Sequence, residues 1–138
     1  MRFWDTSALV PLILDEPSTT RMAELLSEDP EITVWICTGV EITSALVRRA
    51  PKGDPVALRN AETLIAALAS VWIGVDESVA VVDRAKHLAR THRLRAMDAL
   101  QLAAALIACE YDPLGLIFVT LDKALGTAAR AEGFTVLP

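Results

Sequence analysis

Residues 2–9 read RFWDTSAL, which places a short strand-forming run, an acid and a helix start in direct succession. Phe and Trp favour strands, whereas Asp, Thr and Ser commonly begin helices. The segment therefore predicts a first strand at Arg2 to Trp4 and a helix over residues 7–14. A strand that turns directly into a helix is the beginning of a β-α-β unit.

The same alternation continues to the C-terminus. Further strands are predicted at residues 32–37, 71–75, 116–119 and 134–137. Helices are predicted to begin near residues 7, 18, 38, 54, 77, 96 and 121. The strands are continuous apolar runs, which is typical of strands buried on both faces. The pattern predicts an α/β fold with a five-stranded, mainly parallel sheet covered by helices on both sides.

Composition predicts one domain over residues 1–138, with 53% hydrophobic residues and a mean hydropathy of +0.39. A membrane span needs about 20 apolar residues. The longest apolar run, residues 99–109, is too short, so we expect no membrane partner. Asp5 and Asp15 interrupt any apolar segment that could serve as a signal peptide. The expected location is the cytoplasm.

Four acids lie where a parallel sheet binds its ligands, outside the carboxyl ends of its strands. Asp5 follows the first strand directly, and Asp122 follows the fourth by three residues. Glu41 lies in the first turn of the helix after the second strand, and Asp98 lies near the start of an Ala-rich helix. Each could instead be a helix cap or a partner of the helix dipole. Asp76, which also follows a strand, is interpreted as a cap only.

Asp98 favours a functional reading of the four. It introduces the segment AMDALQL, residues 96–102, and a lone charge beside a core helix is costly unless it is paired or binds a cation. Four carboxylates at one edge also repel one another. Oxygen-only ligands suit Mg²⁺ or Mn²⁺, so the pattern predicts metal-assisted hydrolysis of a phosphodiester.

The net charge of −5 excludes a protein that holds nucleic acid by bulk positive charge. Without the four site acids, 14 acids would remain against 13 bases, so a cation at the site would remove most of the excess. An RNA substrate therefore remains compatible with the composition. Arg93 and Arg95, which run into the Ala-rich helix, are the candidate RNA contacts. Arg48, Arg49 and Lys52 are interpreted as an ordinary solvated face.

Four short motifs resemble those of the PIN-domain ribonucleases and, among them, the VapC toxins of toxin–antitoxin pairs. They are FWDTSALV at residues 3–10, EITSAL at 41–46, DALQLAAA at 98–105 and FVTLD at 118–122. They occur in the family's order and span nearly the whole chain.

The resemblance implies a three-layer α/β/α sandwich and endonucleolytic cleavage of RNA with Mg²⁺ or Mn²⁺. It assigns catalysis and metal binding to the four acids already named. Thr6, Ser7 and Thr120 would be supporting polar residues. The resemblance also implies a homodimer and a cognate antitoxin protein whose tail covers the site.

Other functions remain open from the residues alone. The chain could be a PIN-domain RNA-processing nuclease that is not a toxin, a PIN-like binding module without activity, or a nuclease directed at DNA. A receiver-type signalling domain is a further alternative. That domain would need an acidic pair after the first strand, where Asp5 stands alone.

Overall fold

The computed structural model describes residues 1–49 and 55–138, and the backbone only of residues 55–58. The predicted helix start at Asp54 lies outside these residues. Within them, five strands form one sheet: β1 (Arg2–Trp4), β2 (Ile32–Trp35), β3 (Ile73–Val75), β4 (Ile117–Val119) and β5 (Thr135–Leu137).

Seven α-helices connect or flank these strands in the described part of the chain. They are α1 (Thr6–Leu9), α2 (Thr19–Glu28), α3 (Thr38–Arg49), α4 (Pro55–Ala69), α5 (Ser78–His92), α6 (Ala96–Ala108) and α7 (Lys123–Ala131). Short 3-10 turns follow α1 at Val10–Leu12 and precede β4 at Pro113–Gly115.

The sheet is parallel throughout, in the order β3-β2-β1-β4-β5. Phe3 in the central strand β1 lies opposite Thr33 of β2 and Phe118 of β4. The chain builds the sheet outward from β1 in one direction and then returns to add β4 and β5 on the other side. Such a reversal of strand order opens a crevice at the carboxyl ends of β1 and β4.

Helices cover both faces of the sheet. Phe3 and Phe118 point to one face, where they pack with α5, α6 and α7. Trp4 and Val34 point to the other face, where they pack with α1, α2, α3 and α4. The strands β1 and β2 are buried along their whole length. The predicted three-layer α/β/α sandwich with a five-stranded parallel sheet is confirmed.

Several element boundaries differ from the prediction, and two of these differences have identifiable reasons. The backbone N–H groups of Val71 and Trp72 donate to the carbonyl of Leu68, so these residues form a turn after α4 and β3 begins later. The first predicted helix is divided, because Pro11 has no N–H to donate to a carbonyl of the preceding turn and so interrupts the α-helical hydrogen bonds. Residues 10–12 form a 3-10 turn there.

The helix α6 is the most deeply buried of the helices. Its 13 residues include seven that are buried, from Ala99 to Leu106. In the described ranges, no helix combines the length and apolar character needed to cross a bilayer. Because α6 contacts the sheet and also carries Asp98, its packing determines where that acid lies.

Leu102→Ala is expected to lower the free energy of unfolding by about 2–5 kcal/mol, because it removes a fully buried side chain of α6 and leaves a cavity. Urea denaturation of the purified variant measures this change. Leu114→Ala is the matched control, since Leu114 is 91% exposed and its loss should cost less than about 0.5 kcal/mol. Equal effects of the two changes would contradict the assigned core.

Candidate active site

One cleft at the carboxyl edge of the sheet contains all four of the acids singled out above. It has a volume of about 470 Å³. Its lining residues include Asp5, Glu41, Asp98 and Asp122. The neighbouring strands β2, β1 and β4 lead to three of them, and the first turn of α6 supplies the fourth.

Asp5 is held by neutral donors at the end of β1. Its backbone N–H continues the sheet by donating to the Val119 carbonyl at 3.0 Å. Its Oδ2 atom accepts from the Ser7 backbone N–H at 3.1 Å, the Ser7 hydroxyl at 2.5 Å and the Thr120 hydroxyl at 2.9 Å. In the part of the chain that the structure describes, Oδ1 accepts no hydrogen bond. Asp5 is therefore the N-cap of α1 and still has one oxygen available.

Asp122, like Asp5, uses one of its two carboxylate oxygens to cap a helix. It is the N-cap of α7, and its Oδ1 atom accepts from the Leu125 backbone N–H at 2.8 Å. Its own backbone N–H donates to the Thr120 hydroxyl at 3.1 Å. The capping interpretation and the ligand interpretation are thus compatible, because a carboxylate has two oxygens and the cap uses one.

Glu41 does not form the capping box that its spacing from Thr38 suggests. The helix α3 already begins at Thr38, and the Cys37 carbonyl accepts from the Glu41 backbone N–H. The Oε2 atom of Glu41 instead accepts from the Thr6 hydroxyl at 2.8 Å and the Gln101 amide at 2.5 Å. The Oε1 atom accepts no hydrogen bond from a described residue.

Gln101 is the site residue that the sequence analysis missed. It is the one polar residue between Asp98 and the end of α6. It lies three positions after Asp98, a spacing that places two side chains on one helix face. That combination of polarity and spacing is the signal that could have found it.

Burial and like charges act against ionisation in this cleft. Burial raises the pKa of Asp5, which is 5% exposed, although the donors at its Oδ2 atom oppose the shift. Burial also raises the pKa of Asp98, and the negative charges of Asp122 and Asp5 raise it further. A bound cation would reverse both effects by favouring the ionised carboxylates.

The donor set suits a hard cation such as Mg²⁺ or Mn²⁺. The four acids share one cleft, and each has at least one carboxylate oxygen without a hydrogen bond to a described residue. Among residues 1–49 and 55–138, however, no three His, Cys, Asp or Glu side chains are arranged to hold one ion together. The chemistry of the donor set and its location in one cleft therefore fit the metal.

Arg93 and Arg95 lie outside the cleft lining. Arg93 ends α5 in a left-handed backbone conformation, and Arg95 precedes α6. Both side chains are exposed. Arg95 is near enough to lower the pKa of Asp98, although burial and the neighbouring acids outweigh it.

Arg48 and Arg49 do line the cleft, so they are more than the ordinary solvated face that the sequence suggested. Arg48 donates to the Ser44 hydroxyl at 2.6 Å, and Arg49 forms an ion pair with Glu16. Both side chains remain exposed. Lys52 lies outside the described residues.

Asp98→Asn is expected to raise the free energy of unfolding at pH 7 in metal-free buffer. The folded chain raises the pKa of Asp98 above its ordinary value of 3.8, so the ionised group destabilises the folded state at neutral pH. The gain should shrink as the pH falls through the folded-state pKa and vanish below 3.8, where both states are protonated.

Urea denaturation in EDTA at a series of pH values measures this gain. Asp76→Asn is the control, because Asp76 is an exposed acid after β3 and its side chain accepts no hydrogen bond from a described residue. If Asp98→Asn were less stable than the wild type at pH 7, the predicted destabilisation of the folded state by ionised Asp98 would be contradicted.

Comparisons with known proteins agree with this fold. A family model described as PIN domain matches residues 2–131. Ribonuclease VapC49 of Mycobacterium tuberculosis is 31% identical over 138 residues, which cover 99% of this chain and 94% of the relative. Ribonuclease VapC35 of the same organism is 32% identical over 142 residues, with 99% and 96% covered.

The solved structure of FitAcB from Neisseria gonorrhoeae matches with a TM-score of 0.65 and 18% identity. The match covers 100% of this chain and 97% of that one, and at this identity it shows the fold alone. The family model, by contrast, extends over nearly the whole sequence. This chain is therefore a member of the PIN-domain family.

Proposed function

We propose that this protein is an endoribonuclease dependent on Mg²⁺ or Mn²⁺, and that it is the toxin of a type II toxin–antitoxin pair. The observation that carries the proposal is the cleft in which four acids each keep a carboxylate oxygen that accepts no hydrogen bond from a described residue. The relatives named as VapC ribonucleases support RNA as the substrate. Membership of the PIN-domain family argues against the receiver-type alternative.

The metal ligands in this proposal are the four acids of the cleft, Asp5, Glu41, Asp98 and Asp122. A bound divalent cation would neutralise phosphate charge and lower the pKa of a water molecule that attacks phosphorus. Among the described residues that line the site, no His or Lys could serve as a general base.

The protein's own contribution is to hold these acids in place. Ser7 and Thr120 fix one oxygen of Asp5, while Thr6 fixes one oxygen of Glu41. A catalytic group held by locked neighbours keeps its geometry when substrate binds. The supporting roles of these three hydroxyl residues therefore follow from their hydrogen bonds.

Substrate phosphates would be held by exposed cations near the acids. Arg48 and Arg49 line the cleft, and they are the proposed contacts for phosphates beside the scissile bond. Arg93 and Arg95 remain proposed contacts for RNA that extends past the start of α6. Phosphate contacts of this kind position the strand without reading its sequence.

The proposed partners are a cognate antitoxin and a second copy of the chain. Val40 and Val47 on α3 expose apolar surface directly beside the cleft. An antitoxin segment that packs on this surface would also block access to the acids. This location supports inhibition by occlusion of the site.

Asp98→Asn is expected to abolish metal-dependent cleavage of RNA while the protein remains folded, because Asn offers a neutral amide oxygen in place of a negatively charged carboxylate ligand. The fall in kcat should exceed the roughly 10- to 100-fold loss that removal of a supporting hydrogen bond causes. The measurement is cleavage of structured and unstructured RNA with Mg²⁺, with Mn²⁺ and with EDTA.

Asp76→Asn should cleave RNA as the wild type does. Cleavage by folded Asp98→Asn would remove this acid from the site. A wild-type protein that neither cleaves RNA nor is stabilised by Mn²⁺ would favour the binding-module alternative, and cleavage of DNA in preference to RNA would reassign the substrate. Growth arrest on expression, relieved by a co-expressed antitoxin, separates a toxin from a housekeeping nuclease.

Arg48→Gln is expected to weaken RNA binding uniformly across sequences and to reduce the slope of log affinity against log salt by about 1. Fluorescence anisotropy with labelled RNA measures this in the Asp98→Asn background. Arg130→Gln, at the exposed end of α7, should leave the slope unchanged. An unchanged slope for Arg48→Gln would place the phosphates elsewhere, and Arg93→Gln then tests the contact expected from the sequence.

A further inference from the structure

The amide of Gln101 connects three helices beneath the cleft. The side chain is 1% exposed. Its Nε2 atom lies 3.0 Å from the Thr6 hydroxyl, 3.2 Å from the Thr38 hydroxyl and 2.5 Å from Oε2 of Glu41. Thr6 belongs to α1, whereas Thr38 and Glu41 belong to α3. One amide group on α6 therefore contacts residues of both α1 and α3.

Gln101 is an unfavourable residue for the interior of α6. Its Oε1 atom is buried and accepts no hydrogen bond from any described residue. A buried polar atom without a partner costs free energy, and such an atom in a folded protein calls for an explanation. Its orientation is nevertheless determined, because exchanging the amide oxygen and nitrogen would bring an acceptor against the Glu41 carboxylate.

Glu41 needs external support more than Asp5 and Asp122 do. Asp5 and Asp122 are short side chains whose oxygens cap their own helices. Glu41 has one more rotatable bond and makes no such cap. Its Oε2 atom is held by Thr6 and Gln101, and Thr6 in turn accepts from Gln101. These contacts hold the Oε2 atom of Glu41 and do not involve its Oε1 atom.

We propose that Gln101 is a positioning residue of the active site. It fixes the carboxylate of Glu41 and ties α6, which carries Asp98, to α3, which carries Glu41. The inference rests on the proposed nuclease function and assigns Gln101 no contact with RNA, because the side chain is buried. Asp98 and Gln101 thus serve one site from the same helix, the first at the cleft and the second beneath it.

Gln101→Met tests this role because it keeps a similar length and removes both the amide donor and the unpartnered oxygen. The folded state should survive, with a melting temperature close to that of the wild type. The affinity for Mn²⁺ alone, measured by isothermal titration calorimetry, should fall about 10- to 100-fold, as is usual when a partner of a metal ligand is lost. The kcat for RNA cleavage should fall by a similar factor while KM for RNA changes little.

Leu102→Met is the matched control, because it places Met at the next position of α6, also fully buried, without touching the hydrogen bonds of Gln101. It should preserve Mn²⁺ affinity and kcat. Thr6→Val and Thr6→Ser provide an independent pair. Removal of the hydroxyl should reduce Mn²⁺ affinity, and its retention in Ser should restore it. The double change Gln101→Met with Thr6→Val should cost less than the product of the single effects, since both act on one oxygen.

Folded Gln101→Met with wild-type Mn²⁺ affinity and kcat would overturn the inference. A lower melting temperature with unchanged Mn²⁺ affinity would also overturn it, because that result describes a purely structural residue. Should Gln101→Met fail to fold, equal Mn²⁺ affinities of Thr6→Val and Thr6→Ser would overturn it. If the wild type cleaves RNA and binds Mn²⁺, these outcomes leave the proposed function intact. If it does neither, both proposals fail.

Discussion

The burial of an acid at the carboxyl end of the central strand is the constraint on which the rest of this site depends. Asp5 sits where β1 and β4 part, and desolvation disfavours its charge. Three donations from Ser7 and Thr120 compensate in part, and all three reach the same oxygen. The loops after β1 and β4 are therefore joined by hydrogen bonds to one carboxylate, and the cleft acquires its shape from that junction.

The central strand has a buried charge at each end, and the two ends are handled differently. At the amino end, the Arg2 guanidinium donates to the Leu25 carbonyl and pairs with Glu28 at 3.0 Å. The positive charge of Arg2 is therefore paired with an acid of the protein itself. At the carboxyl end, acids face other acids across open space. The charge at the amino end of β1 is thus neutralised by other residues of the protein, whereas the acids at the carboxyl end can be stabilised by a bound cation.

The sequence predicted the succession of strands and helices along the chain and all four acids of the cleft, because both depend on local patterns. Strand runs such as residues 117–119 are short and apolar, and the acids lie close behind them: Asp5 follows its strand directly and Asp122 follows by three residues. Which strands are neighbours was settled only by tertiary packing. The role of Gln101 could not be predicted, since it arises from contacts with Thr6 and Glu41, which lie 95 and 60 positions away. The position of Arg48 on the cleft wall depends in the same way on how α3 packs.

The capping hydrogen bond of Asp122 has a consequence for interpreting related sequences. Asn caps helices as well as Asp does, so a relative with Asn at this position could keep the α7 cap and the whole sandwich. It would nevertheless lose one negative charge from the cleft. A change of a single side-chain atom can therefore remove the chemistry and leave the fold unchanged. Overall similarity of shape is for this reason a poor guide to which members of the fold still hydrolyse phosphodiesters. The identity of the cap residue is the more informative observation.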